Sequence, residues 1–254
     1  MRDAATFLTR APLHRAGAAA PDMGASVPWF GAIGMLLGAA QGAIFVGLFE
    51  VATPGLAAAV AVTALALVTG AFHHDGLADM ADGFGGGWTV EQRLEIMKDS
   101  RLGTYGATAL VCVILIEVMA LASISGWLAV AATVTAHALS RSVATGVMLV
   151  AHPAANSGLG VDYLNSLPRG RVLAASTLIL GGTATLFGVF AIAVAAAAYL
   201  SAALIVILAN SKIGGITGDV LGAVQQIAKV TILATIVVIA ESTIDPGALG
   251  GLAL

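Results

Sequence analysis

VLAASTLILGGTATLFGVFAIAVAAAAYLSAALIVILAN, from Val172 to Asn210, contains no Asp, Glu, Lys, Arg or His. A helix needs about 20 apolar residues to cross about 30 Å of hydrocarbon, so this stretch provides for two crossings, near 172–190 and 192–209. Comparable runs recur outward from it, near 29–50, 54–72, 104–125, 127–150 and 230–250. The sequence therefore predicts an all-α fold, a polytopic membrane bundle of about seven transmembrane helices. The whole chain shares this character: 59% of its residues are hydrophobic and 10% charged, with a mean hydropathy of +0.97. Such a composition excludes an ordinary soluble domain. With no polar half to divide off, residues 1–254 read as one membrane-embedded domain.

The runs are rich in Gly and Ala, which lets helix backbones approach closely where lipid gives no hydrophobic drive to associate. The single cysteine, Cys112, lies inside an apolar run and excludes both an internal disulfide framework and a cysteine zinc site. A net charge of −3 with no basic block excludes a nucleic-acid surface. The first 28 residues carry Arg2, Arg10 and Arg15 but no apolar h-region, so no cleaved signal peptide is expected.

Cationic residues orient the bundle, because cytoplasmic loops near membrane spans are enriched in Lys and Arg. Threading seven spans with the N-terminus inside puts Arg2, Arg10, Arg15, Arg93, Lys98, Arg101, Arg169, Arg171, Lys212 and Lys229 in inner segments. Arg141 falls in the inner half of the fourth span, and the outer turns adjoin only Glu50, Glu241 and Asp245.

Chemistry-capable residues crowd into one inner segment, His73 to Tyr105, reading HHDGLADMADGFGGGWTVEQRLEIMKDSRLGTY. Asp75, Asp79 and Asp82 are spaced i, i+4, i+7, which places three carboxylates on one helix face. Like charges so close call for a cation, and a hard, oxygen-seeking ion such as Mg2+ suits the ligands. Gly83, Gly85, Gly86 and Gly87 follow and would let backbone amides approach an anion, although a glycine cluster is more often only a turn. Lys98 and Arg101, flanking Asp99 and Ser100, offer cations to a diphosphate, a role they would share with the positive-inside signal. His73 and His74 stand at the membrane edge as ligands, bases or simple hydrogen-bonding groups. His137, Arg141 and Glu117 lie inside apolar runs, where ionisable groups face a polar cavity or a partner. A second polar inner segment, Ser211 to Lys229, contains Thr217, Asp219 and Lys212.

The run TGAFHHDGLADMADGFGGG (Thr69 to Gly87), followed by RLEIMKDSRLGTYG (Arg93 to Gly106), resembles the signature of the cobalamin synthase family, the adenosylcobinamide-GDP ribazoletransferases. FLTRAP at Phe7 to Pro12, LSR at Leu139 to Arg141, GLG at Gly158 to Gly160 and GGITGDVLGA at Gly214 to Ala223 extend the resemblance along nearly the whole chain. Here His73-His74 stands where the family has a His followed by an apolar residue, and Ala151 to Asn156 is less basic than usual.

The resemblance implies a Mg2+-dependent transferase of the prokaryotic cytoplasmic (inner) membrane, with its active loops facing the cytoplasm. Its substrates would be adenosylcobinamide-GDP and α-ribazole or α-ribazole 5′-phosphate, with GMP released. Other enzymes of nucleotide-loop assembly are candidate partners. On this reading Asp75, Asp79 and Asp82 hold the metal, with Asp82 also a candidate general base. Lys98 and Arg101 meet phosphate oxygens, and His73, Gly85, Gly86, Asp99, Ser100, Arg10, Arg141 and Asp219 form a second tier of substrate contacts. Two rivals belong to other classes. A membrane prenyltransferase would carry a second aspartate-rich motif, whereas Asp162 and Asp219 stand alone; a transporter would not need the dense acidic and glycine segment.

Overall fold

The computed structural model describes residues 1–11, 22–154 and 167–243. The described residues form α1 (Arg2–Leu8), α2 (Met23–Ser26), α3 (Phe30–Phe49), α4 (Pro54–Thr69), α5 (Phe72–Gly86) and α6 (Val90–Ile96). They continue with α7 (Thr104–Ala122), α8 (Gly126–Val150), α9 (Arg169–Phe187), α10 (Ala191–Ile213) and α11 (Gly218–Thr243). The long helices α3, α4, α7, α8, α9 and α10 fall on six of the apolar runs; α11 begins well ahead of the last run, of which residues 244–250 lie outside the described residues. Among the described residues, four stretches are long and apolar enough to cross a bilayer: Gly24–Phe49, Thr104–Ala122, Arg169–Ile213 and Gly218–Thr243; α4 with α5 is a fifth, bent candidate.

Two of these stretches fold back or bend for identifiable reasons. Arg169–Ile213 is a continuous helical run that would measure about 68 Å if straight. Its ends nevertheless lie on one face, since Val172 packs with Leu8 and Val27 while the Lys212 carbonyl accepts a hydrogen bond from Arg93 Nη1 at 2.8 Å. The reversal falls at Gly188, whose φ of 56° belongs to the region glycine tolerates. Between α4 and α5 the chain bends by 90°. There Gly70 and Ala71 take left-handed conformations in succession (φ 63° and 55°). Arg10 covers this elbow: its backbone N–H donates to the Val68 carbonyl at 2.8 Å, and its side chain fills the space a Cβ on Gly70 would need. The elbow turns α5 away from the line of α4. The three aspartates thus lie off the line of α4.

The start of α11 differs from expectation. Ser211 to Lys229, read as a polar inner segment, is mostly helix: Ser211–Ile213 ends α10 and Gly218–Lys229 opens α11. Thr217 Oγ1 accepts from the Val220 amide at 3.3 Å and Asp219 lies in the first turn, both favourable at a helix N-terminus. The polar residues beyond, Gln225, Gln226 and Lys229, are buried because they face a polar interior.

That interior is organised by α8, whose residues are mostly buried among α3, α9, α10 and α11. Gly34, Gly38 and Gly42, a small-xxx-small series on α3, bring it against the α8 backbone. A Cβ on Gly34 or Gly38 would overlap the His137 or Thr133 carbonyl, and one on Gly42 would sit 2.7 Å from Thr133 Oγ1. Gly38→Ala should therefore cost about 1–3 kcal/mol of overpacking. Gly47→Ala, on the same helix with nothing within 4 Å of its added methyl, should leave stability unchanged or slightly raised. Thermal unfolding of the two variants in detergent checks the contrast, and equal melting temperatures would contradict it.

Candidate functional site

Three groupings of polar residues stand out among the described residues. The first is acidic. Gly76 on α5 packs against Gly222 on α11, with the Gly76 Cα 3.3 Å from the position of a Gly222 Cβ, and no side chain intervenes. This approach sets Asp75 and Asp79 beside Asp219, and Asp79 lies in the combined field of Asp75, Asp219 and Asp82. Among the described residues none of these four carboxylates has a Lys or Arg within salt-bridge distance. They form an uncompensated patch of negative charge.

Asp82 departs from the other two aspartates of its motif. It is buried, and its Oδ2 and Oδ1 accept the backbone N–H groups of Gly103 (2.8 Å) and Gly106 (2.9 Å) at the start of α7. Both glycines leave room for the carboxylate, which a Cβ at either would strike. Asp82 thereby satisfies orphan donors of a helix N-terminus, a favourable place for a negative charge. Among the described residues no three His, Cys, Asp or Glu side chains close into a ready-made metal site. The grouping that remains open is Asp75, Asp79 and Asp219.

The second grouping is an open cleft of about 400 Å3 bordered by Asp82, Gly86, Asp99, Arg101 and Tyr105. Arg101 donates from Nε to both oxygens of Asp99 at 3.0 Å, and this partner holds the Asp99 carboxyl down at about 2. Gly85 must be glycine because its missing Cβ would meet the Tyr105 ring. Lys98, Ser100 and Gly86 are exposed around this cleft, and Thr89 with Gln92 forms a capping box that starts α6.

The third grouping is buried in the apolar bundle. Lys229 on α11 donates to Glu117 Oε2 on α7 at 2.6 Å, and Gln41 Nε2 on α3 donates to Glu117 Oε1 at 2.9 Å. Gln41 Oε1 lies 2.6 Å from His137 Nε2, and Arg141 Nη1 lies 3.0 Å from His137 Nδ1. A guanidinium can only donate, so Nδ1 accepts and the His137 proton resides on Nε2. The chain Arg141 to His137 to Gln41 to Glu117 runs in one direction through α8, α3 and α7, and Lys229 on α11 adds a fourth helix. Gln225 joins it through Ser140 at 3.0 Å, and Gln226 Nε2 meets His74 Nδ1 at 3.3 Å.

The sequence motifs of this site find their counterpart in known proteins. The family model for cobalamin-5-phosphate synthase matches residues 1–237. The chain belongs to the cobalamin-5-phosphate synthase family. The adenosylcobinamide-GDP ribazoletransferase of Ralstonia nicotianae is 39% identical over 89% of this chain and 90% of its own length. Those of Bradyrhizobium diazoefficiens, 38% identical over 92% and 91%, and Shewanella piezotolerans, 33% over 93% of each, are similar along their length too. No solved structure matches this chain.

In this member of the cobalamin-5-phosphate synthase family, the structure brings Asp75, Asp79, Asp219 and the His73 backbone to one region, and Asp82, Gly86, Asp99 and Arg101 to the adjoining cleft; Lys98, Ser100 and Gly85 are exposed next to these in sequence but do not line it. Arg10 stands at the elbow and Arg141 in the core. Sequence reasoning placed Lys229 in an inner segment; it is instead 3% exposed and ion-paired. Gln41 escaped notice, and Ser140, Gln225 and Gln226 stood only within longer motifs, with no role of their own. A lone amide in the apolar run GMLLGAAQGAIF was the available signal for Gln41. Breaking the buried pair by Glu117→Gln or Lys229→Met should cost about 3–5 kcal/mol, because each leaves a charge without its partner in a water-poor core. The double variant Glu117→Leu with Lys229→Met should recover much of that loss. Denaturation midpoints of the three variants decide it; additive losses in the double variant would contradict the pairing.

Proposed function

We propose that this chain transfers the adenosylcobinamide phosphate group from adenosylcobinamide-GDP to α-ribazole or α-ribazole 5′-phosphate. A ribose hydroxyl attacks the corrinoid-linked phosphorus, the new P–O bond forms, the bond to GMP breaks, and the hydroxyl proton is lost. The product is adenosylcobalamin or its 5′-phosphate. The observation that carries this reading is the uncompensated acidic patch at Asp75, Asp79 and Asp219 beside the Lys98–Arg101 cleft, within the motifs that place the chain in its family. It favours a diphosphate transferase over a prenyltransferase or a transporter.

Hard carboxylate oxygens without a cationic side-chain partner suit Mg2+, with Asp75 and Asp79 as ligands and Asp219 as the neighbour that completes the patch. The ion would supply charge neutralisation at the diphosphate. Asp82, anchored by two amides, keeps the cleft and α7 in register with α5 and retains free lone pairs on both oxygens for a ligand or base role. Lys98 and Arg101 neutralise phosphate oxygens, with Arg101 exchanging Asp99 for substrate. Gly86 lines the same cleft, with Ser100 and Gly85 next to its lining residues in sequence, and there backbone can approach the nucleotide. The acidic patch and the cleft face the cytoplasm from the prokaryotic inner membrane, where other nucleotide-loop assembly enzymes would deliver the substrates.

Phosphoryl transfer depends mainly on positioning and charge neutralisation, so loss of one metal ligand acts on turnover more than on folding. Asp75→Asn and Asp79→Asn should each lower the rate of GMP release by about 100-fold or more, a barrier increase of about 2.7 kcal/mol, with expression and membrane insertion unchanged. Chelator should abolish the wild-type activity and Mg2+ restore it. Full activity in both variants, or indifference to chelator, would overturn the metal assignment.

A further inference from the structure

Arg141 is a cation of the buried network with hydrogen-bonding capacity to spare, as Gln225 and Gln226 are among its amides. Its Nη1 serves His137, but its Nε has no partner although the residue is only 3% exposed. The one buried carboxylate near it, Glu117, already holds Lys229. A guanidinium in a water-poor interior without its own anion costs several kcal/mol unless a ligand supplies the charge.

Arg141 closes the inner end of a cavity of about 100 Å3 whose rim is aromatic. Phe7 stacks on Phe30 at 5.5 Å and meets Phe72 edge to face at 5.2 Å, and both Phe7 and Phe72 are exposed on their outer sides. His73 and Gly218 also line it, and Gly218 immediately precedes Asp219 of the acidic patch. The cavity therefore has an exposed aromatic side, a buried cation, and a lining residue next to the acidic patch.

A molecule matching it carries an aromatic ring at one end, a phosphate at the other and a hydroxyl between. We propose that this cavity is the acceptor site, with a phosphate monoester on Arg141, the aromatic base against Phe7 and Phe72, and the ribose level with Asp219. The assignment rests on the transfer reaction proposed above and adds to it the residue that distinguishes a phosphorylated acceptor from the free nucleoside. His137 and Gln41 act as positioning residues, holding the guanidinium where Arg141 lines the cavity.

Equilibrium binding to the full chain in detergent, without adenosylcobinamide-GDP, tests this. Wild type should bind α-ribazole 5′-phosphate at least about tenfold more tightly than α-ribazole, as one charge-assisted hydrogen-bond set provides. Inorganic phosphate should compete. Arg141→Gln should bring the two affinities within about twofold of each other while α-ribazole binding is kept, and Phe72→Ala should weaken both ligands with the ratio preserved. Arg141→Lys, which retains the charge without the fork, should fall between. A preference that survives in Arg141→Gln, or equal loss of both ligands in Arg141→Gln and Arg141→Lys, would overturn the assignment. So would competition by phosphatidylglycerol without competition by inorganic phosphate, which would mark a lipid site. Wild type that binds neither acceptor and releases no GMP would overturn the reaction as well. GMP release with an unaltered preference in Arg141→Gln would overturn this site alone.

Discussion

Lipid cannot hydrate an ion, and the Glu117–Lys229 pair is this bundle's answer to that constraint. An ammonium in the bundle interior requires a carboxylate within hydrogen-bonding distance, and the carboxylate's second oxygen then requires a donor of its own. Gln41 supplies it, its carbonyl fixes the proton of His137 on Nε2, and the remaining ring nitrogen takes one edge of Arg141. Each step leaves the next with a single orientation. Helices α3, α7, α8 and α11 are in this way locked in register by polar groups, while α8, which does not stand out as a crossing by apolarity, becomes the helix around which the others pack.

The acidic region depends on the geometry of that bundle where α5 meets α11. Glycines at α3 against α8 and at α5 against α11 allow backbone-to-backbone approach, and the second of these contacts carries Asp219 to Asp75 and Asp79. The elbow at Gly70 and Ala71 turns α5 by 90°, and Arg10 covers the turn. Asp82 then ties α5 to α7 through two amides, so that the cleft with Arg101 and Tyr105 opens beside the acidic patch. Packing, capping and charge placement are parts of one arrangement there.

Much of this was legible in residue order alone, because apolar length and the placement of cations are strong one-dimensional signals. Six runs coincide with long helices and the seventh overlaps the second half of α11, while the Thr69–Gly106 motif coincides with the region of the candidate site. What stayed hidden was whatever depends on a partner far along the chain. Lys229 reads as a loop cation until Glu117, distant in sequence, is found across from it. Asp82 reads like Asp75 and Asp79 by spacing, and only the amides of Gly103 and Gly106 show that it faces α7. The elbow was hidden too, since Gly70 signals a helix end but not its direction, and the left-handed Ala71 has no signature in sequence.

The central claim is that the phosphorus attacked is the one joined to the corrinoid and that GMP is the leaving group. Adenosylcobinamide-GDP labelled with 32P at the corrinoid-linked phosphate, incubated with the purified chain, Mg2+ and α-ribazole 5′-phosphate, follows that atom directly. The account predicts that all transferred label stays with the corrinoid product, now bonded to the ribazole, and that the released GMP is unlabelled. Label leaving with the guanosine nucleotide, as GDP, would contradict it.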